Sequence, residues 1–131
     1  MKNKLRKIAI DNLEYLYIID NKYHLGTDTN TLTVKVYLSG KKQTPLVIEF
    51  LTPDHYYMGQ ILNSGVNLLD RNTNAEDIVN INEPKYIRAL ILLGRSKGWT
   101  GTNKIDKQNG LIYLEALGYD ADTLLNRFLK K

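Results

Sequence analysis

Two histidines, His24 and His55, are the side chains of this sequence best suited to moving protons near neutral pH. An acid–base pair needs a partner within hydrogen-bond reach and a third group to orient it. His55 follows Asp54 directly, and adjacent residues on a helix point apart, so His55 reads as a surface residue of a first helical turn. His24 sits in "DNKYHLGTDTN" between Asp20 and Asp28, a spacing that matches neither a zinc site nor a calcium loop. A second stretch, "GRSKGWTGTNK" at 94–104, combines glycines, cations and hydroxyls, the ingredients of a phosphate cradle. A Walker loop places G-x-x-x-x-G-K-[ST] after a strand and before a helix. Here the glycines follow an apolar run of helical period, and Lys104 comes two residues after Thr102. The zincin, nucleophile-elbow and dinucleotide patterns do not occur. With no cysteine, a disulfide framework, a thiolate metal site and a cysteine nucleophile are excluded. The expectation is a chain with no catalytic, cofactor-binding or metal-ligating residue and no cofactor.

Surface contact is the remaining chemistry. Nine tyrosines and a net charge of +4 stand out. Tyrosine and lysine interleave at Lys35-Val36-Tyr37 and Lys85-Tyr86, and aromatic–cation faces bind single strands. Tyrosine is also a favoured strand residue and a common anchor in protein interfaces. Tyr56 and Tyr57 are neighbours, so they point to different sides and one faces solvent. Cations recur at Lys41-Lys42 and along Arg95, Lys97, Lys104 and Lys107, yet acidic residues are interspersed and no run of five like charges forms. Such an excess keeps a chain soluble and allows weak contact with polyanions. The candidate interaction surface is therefore Tyr37, Tyr56, Arg95, Lys97 and Lys104. Its expected partner is another protein, and weak, sequence-independent nucleic-acid binding is the alternative.

These residues need a scaffold. At 131 residues the chain reads as one domain, 1–131, able to fold without metals or disulfides. "KIAIDNLEYLYIID" reads as a hairpin, because Asp11-Asn12 tolerates positive φ between two apolar runs. Its second strand is apolar at most positions, as in a strand covered on both faces. "NKYHLGTDTN" reads as a polar loop. "TLTVKVYL" alternates Leu32, Val34, Val36 and Leu38 with Thr33, Lys35 and Tyr37, and "PLVIEFL" supplies a fourth strand after the turn "GKKQT". Short connections make this an antiparallel meander.

The pattern changes near Thr52. Thr52 is a good N-cap, Pro53 suits the first helical position, and Tyr57, Met58, Ile61 and Leu62 share a helical face before Gly65. "LLDRNTNAED" reads as a loop and "DIVNI" as a short fifth strand. A longer helix begins at Asn82-Glu83-Pro84 and carries the stripe Ile87, Leu90, Ile91 and Gly94. Arg95 and Lys97 suit its negative end, and Gly98 followed by Trp99 is a glycine stop with a large apolar residue folding back. Leu111, Leu114 and Leu117 mark another helix ended by Gly118. Asp120 or Asp122 then caps a last one with Leu124, Leu125 and Phe128.

"EPKYIRALILLGRSKGW", residues 83–99, resembles a segment of small uncharacterised bacterial proteins of an α+β, accessory or immunity-like kind. That resemblance implies work by binding another protein and carries no site residue. Abundant Asn, Ile, Lys and Tyr suit an AT-rich bacterial or phage genome. The first residues hold Lys2, Lys4, Arg6 and Lys7, but Asp11, Asn12 and Glu14 break any apolar core of a signal peptide, and no run reaches spanning length. The fold expected is α+β: an N-terminal, mainly antiparallel sheet of about four to five strands with C-terminal helices on one face, cytoplasmic and without membrane contact.

Overall fold

A computed structural model describes residues 5–54, 59–122 and 124. Strands β1 (Arg6–Ile10) and β2 (Leu13–His24) are joined by Asp11 and Asn12, both at positive φ (52° and 66°). This two-residue turn matches the right-handed twist of the strands it joins. β3 (Thr29–Leu38) and β4 (Lys41–Pro53) continue the antiparallel meander. A two-residue strand, β7 (Gln108–Asn109), runs parallel to β4 beside Ile48 and Glu49 and closes the order β1-β2-β3-β4-β7.

Side chains on a strand alternate between faces, so the register sorts the sheet into two surfaces. Tyr17, Val36 and Leu46 line up across it, as do Ile19, Val34 and Ile48. On this inner face Leu32, Val34, Val36, Leu46, Ile48 and Phe50 are fully buried. The other described elements pack here: α1 (Ile61–Ser64), the ribbon of β5 (Val66–Asp70) and β6 (Ala75–Val79), α2 (Pro84–Ser96) and α3 (Gly110–Ala116). Helix α2 buries Tyr86, Ile87, Leu90, Ile91 and Gly94. Gly94 lies against Leu46, where a Cβ would overlap the leucine methyls.

The end of α2 follows from its last residues. Trp99 N–H donates to the Gly94 carbonyl (3.0 Å) and Gly98 N–H to that of Arg95 (3.1 Å), which satisfies carbonyls the helix leaves open. The turn needs Gly98 at φ 109°. Trp99 then folds back into the core, beside Tyr15 at 5.8 Å between ring centroids, and its Nε1–H donates to the Thr44 carbonyl (3.0 Å). Helix α3 ends the same way: Tyr119 N–H donates to Leu114 O and Gly118 N–H to Glu115 O, both at 3.0 Å.

The α+β architecture is as expected from the sequence, with differences in detail. Helical content is smaller, and α1 precedes the chain midpoint. Thr52 does not cap a helix. It is buried in β4, where the pairing of β3 back to Thr29 extends the strand to Pro53, and its hydroxyl accepts from Gln60 Nε2 (3.1 Å). Gln60 is the actual cap of α1, its Oε1 accepting from Leu62 N–H (2.9 Å). The expected helical positions Tyr57 and Met58 lie outside the described residues. The segment read as a loop before "DIVNI" is a hairpin, β5–β6, separate from the main sheet. Asp70 organises its turn by accepting from Asn72 N–H (2.9 Å), and Asn74 takes φ 58°. At α2 the N-cap is Glu83 rather than Asn82, whose Nδ2 instead donates to Asn63. His24 belongs to β2, so the polar loop shrinks to 25–28. In the last predicted helix Leu124 is buried, while Leu125 and Phe128 lie outside the described residues.

Candidate interaction surface

The described helices pack against the inner face. On the outer face, Leu16 stands opposite Tyr37, Ile18 opposite Lys35 and Lys35 opposite Val47, then Asp20 opposite Thr33 and Thr33 opposite Glu49. Leu16, Ile18, Tyr37, Pro45 and Val47 are all half-buried by their neighbours. They form an apolar patch with charge within and around it. Lys35 Nζ lies 6.0 Å from the Tyr37 ring centroid, and Lys107 Nζ pairs with Glu49 Oε2 at 3.6 Å. A shallow concavity of about 730 Å³ runs over Ile18, Lys35, Tyr37, Pro45 and Val47. Beyond the Lys107–Glu49 pair a smaller cleft of about 460 Å³ continues between Leu51, Pro53 and Leu111. Leu51 there is 51% exposed, near the end of β4 and past the pairing with β7.

The structure disperses the surface expected from the sequence. Tyr37 belongs to the outer face. Arg95 and Lys97 lie at the end of α2, on the other side of the sheet. Arg95 is engaged with Asp11 (3.3 Å), and Lys97 Nζ sits 5.5 Å from the centroid of Tyr113. Lys104 is exposed in the loop after α2, and Tyr56 lies outside the described residues. Sequence reading passed over Leu16, Ile18, Pro45 and Val47. The available signal was the nearly continuous apolar run of β2, which implied cover on both faces, whereas no described helix covers the second face.

His24 Nε2 lies 2.6 Å from Thr31 Oγ1, a local hydroxyl contact within the β2–β3 hairpin. His55 lies outside the described residues. Three carboxylates, Glu115, Asp120 and Asp122, gather with oxygens within 4.8 Å of one another. Their cation is already supplied by the chain: Arg71 reaches Glu115 at 2.6 Å and Asp120 at 3.1 Å. Glu115 Oε2 also accepts from Ala121 N–H (2.7 Å). The cluster thus fastens the β5–β6 turn to the end of α3, helped by Arg71 N–H to Gly118 O (2.8 Å) and Asp120 N–H to Leu69 O (2.9 Å).

The Arg71 hydrogen bond holds Glu115 below the usual carboxylate range; burial opposes this and the Ala121 N–H adds to it. A depressed carboxylate pKa stabilises the fold above the unfolded-state value, and that contribution disappears as pH falls through the folded-state value. Melting temperatures of the wild type and Glu115→Gln should therefore differ at pH 7 and converge in acid. Because the pair is partly exposed, the gap should also narrow with salt. A gap unchanged from neutral pH down through the carboxylate range would remove Glu115 from this role.

Among the described residues no helix is long and apolar enough to cross a membrane. No protein-family model, curated protein or solved structure matches the chain.

Proposed function

We propose that this chain is a small, non-catalytic protein-binding module of the bacterial cytoplasm, and that it binds through the outer face of its sheet. The observation carrying this reading is the contiguous patch Leu16, Ile18, Tyr37, Pro45 and Val47, half-buried and uncovered by any described helix. Apolar centres edged by charge are how protein interfaces are built, and a tyrosine at such a centre is a favoured anchor. Contiguous apolar surface of this kind has a cost in water unless something covers it. The absence of cysteine suits a reducing compartment.

A photo-reactive amino acid placed at Ile18 or Val47 tests the reading in cells expressing the chain. Position 112 serves as control, since Ile112 is 57% exposed but lies on α3. Positions 18 and 47 should give a discrete protein adduct that Ile112 does not. The adduct mass separates a second copy of the chain from a different protein. Equal or absent labelling at 18 and 47 in a folded chain would count against the outer face as the binding surface.

A further inference from the structure

We infer that the cleft beside the β3–β4 turn is a binding site for phosphate groups, separate from the outer-face patch and beyond the protein-binding reading. The turn runs through Gly40 at φ 84° and leads into Lys41 and Lys42 at the start of β4. Both lysines are exposed and stand at an irregularity of the β3–β4 register, where Leu38 pairs with Lys41 but Val36 pairs with Leu46. β7 pairs only beside Ile48 and Glu49, which leaves the beginning of β4 without a strand on that edge. The loop 98–104 takes that place.

That loop is held firmly. Trp99 Nε1–H donates to Thr44 O (3.0 Å), and Thr44 Oγ1 donates to Gly101 O (2.7 Å). Asn103 closes the loop on itself, accepting from Thr100 N–H (2.8 Å) and donating to Gly98 O (2.9 Å). Gly101 packs on Leu38 so closely that a Cβ would overlap it. The outcome is a cleft of about 620 Å³ lined by Gly40, Lys41, Lys42, Gln43, Thr44 and Thr102, with exposed Lys104 two residues along the loop.

Charge at this end of the sheet is unbalanced. Asp11 is taken by Arg95 and Glu14 by Lys7. Lys41, Lys42 and Lys104 form no ion pair with a described residue. Ammonium groups act on phosphate as point charges, and the exposed Gln43 amide on the same wall donates to its remaining oxygens, whereas the Thr44 and Thr102 hydroxyls are held by Gly101 O and Thr100 Oγ1. A carboxylate ligand would use fewer of these donors than a multiply charged phosphate. The cleft is large enough for two linked phosphates, whether of a small diphosphate or of a nucleic-acid backbone.

Amide chemical shifts of the intact chain, followed during titration with sodium pyrophosphate at low ionic strength, test the site. Saturable shifts should concentrate at 40–44 and 98–104. Lys41→Ala with Lys42→Ala should weaken binding about tenfold, since phosphate affinity at a surface site is chiefly electrostatic. Removing two exposed lysines elsewhere, Lys22→Ala with Lys85→Ala, makes the same change in net charge and should leave affinity nearly unaltered. Gln43→Ala offers an independent check and should weaken binding without losing a charge. A single-stranded oligonucleotide identifies the source: tighter binding than pyrophosphate at the same residues assigns the phosphates to nucleic acid, and weaker binding assigns them to a small diphosphate. Shifts spread over all lysines, shifts that never saturate, or equal losses in the two double variants would overturn the site.

Discussion

Trp99→Ala lowers the unfolding free energy by roughly 3–5 kcal/mol, the range for truncating a buried large aromatic to alanine. The melting temperature should fall by roughly 10 °C or more for a domain of this size. Trp99 is only 1% exposed and is among the largest fully buried side chains. Its removal leaves a cavity beside Tyr15 and takes the indole donor from Thr44 O, so packing and a hydrogen bond are lost together. Gly98→Ala is the instructive contrast. A Cβ at Gly98 would meet nothing within 4 Å, so its cost comes from φ 109° alone. About 1 kcal/mol is expected there, the usual penalty for a side chain in a left-handed conformation. The native indole should emit at short wavelength and resist iodide quenching. Red-shifted, easily quenched emission with near-wild-type melting of both variants would mean that 98–104 is a free loop.

This helix end was legible in the sequence because its signals are local: an apolar stripe, late cations, then glycine and a large apolar residue. Asp11-Asn12 was legible for the same reason, as was the alternation of Leu32, Val34 and Val36. The second helix end, at Gly118-Tyr119, repeats the first with tyrosine in place of tryptophan, although sequence reading recognised only its glycine. What failed depended on partners distant in sequence. Thr52-Pro53-Asp54 has the chemistry of a helix start, but β3 offers ladder partners as far as Thr29, and tertiary pairing overrides the local preference. β5 was missed because Leu68 and Leu69 in succession obscure its alternation, and the polar turn after it resembles any loop. The candidate surface was least legible. Arg95 and Lys97 are close in sequence to Lys104 but remote from Tyr37, and only strand register brings Ile18, Lys35 and Val47 side by side. Counting cations has a further weakness: Arg95 is paired with Asp11, whereas Lys41 and Lys42 form no ion pair with a described residue.

Gly110→Ala should destabilise the chain by about 1–3 kcal/mol, the range for overpacking a filled core. Asn109-Gly110 looks like a hairpin dipeptide, yet here it starts a helix. Asn109 caps α3 by accepting from Leu111 N–H (3.0 Å), and Gly110 is its first residue. Two effects favour alanine at this position. It has a helix propensity better by about 1 kcal/mol, and it reduces the freedom of the unfolded chain. Against them stands the Phe50 ring, whose Cδ2, Cε2 and Cγ all lie where the new methyl would go. Phe50 is fully buried, so its ring has no solvent-side space to turn into, and the helix start must lift away from β4 instead. Lifting it also strains the pairing of Gln108 and Asn109 with Ile48 and Glu49, because the two features are contiguous. The clash should therefore outweigh the propensity gain. A double-mutant cycle isolates the cause. Phe50→Leu alone destabilises by loss of volume, but combined with Gly110→Ala it should cost clearly less than the sum of the single changes, since the methyl then fills space the ring vacated. Strict additivity, or a Gly110→Ala variant melting at or above the wild type, would show that α3 does not start against Phe50, and that the cleft walled by Leu51, Pro53 and Leu111 is shaped differently.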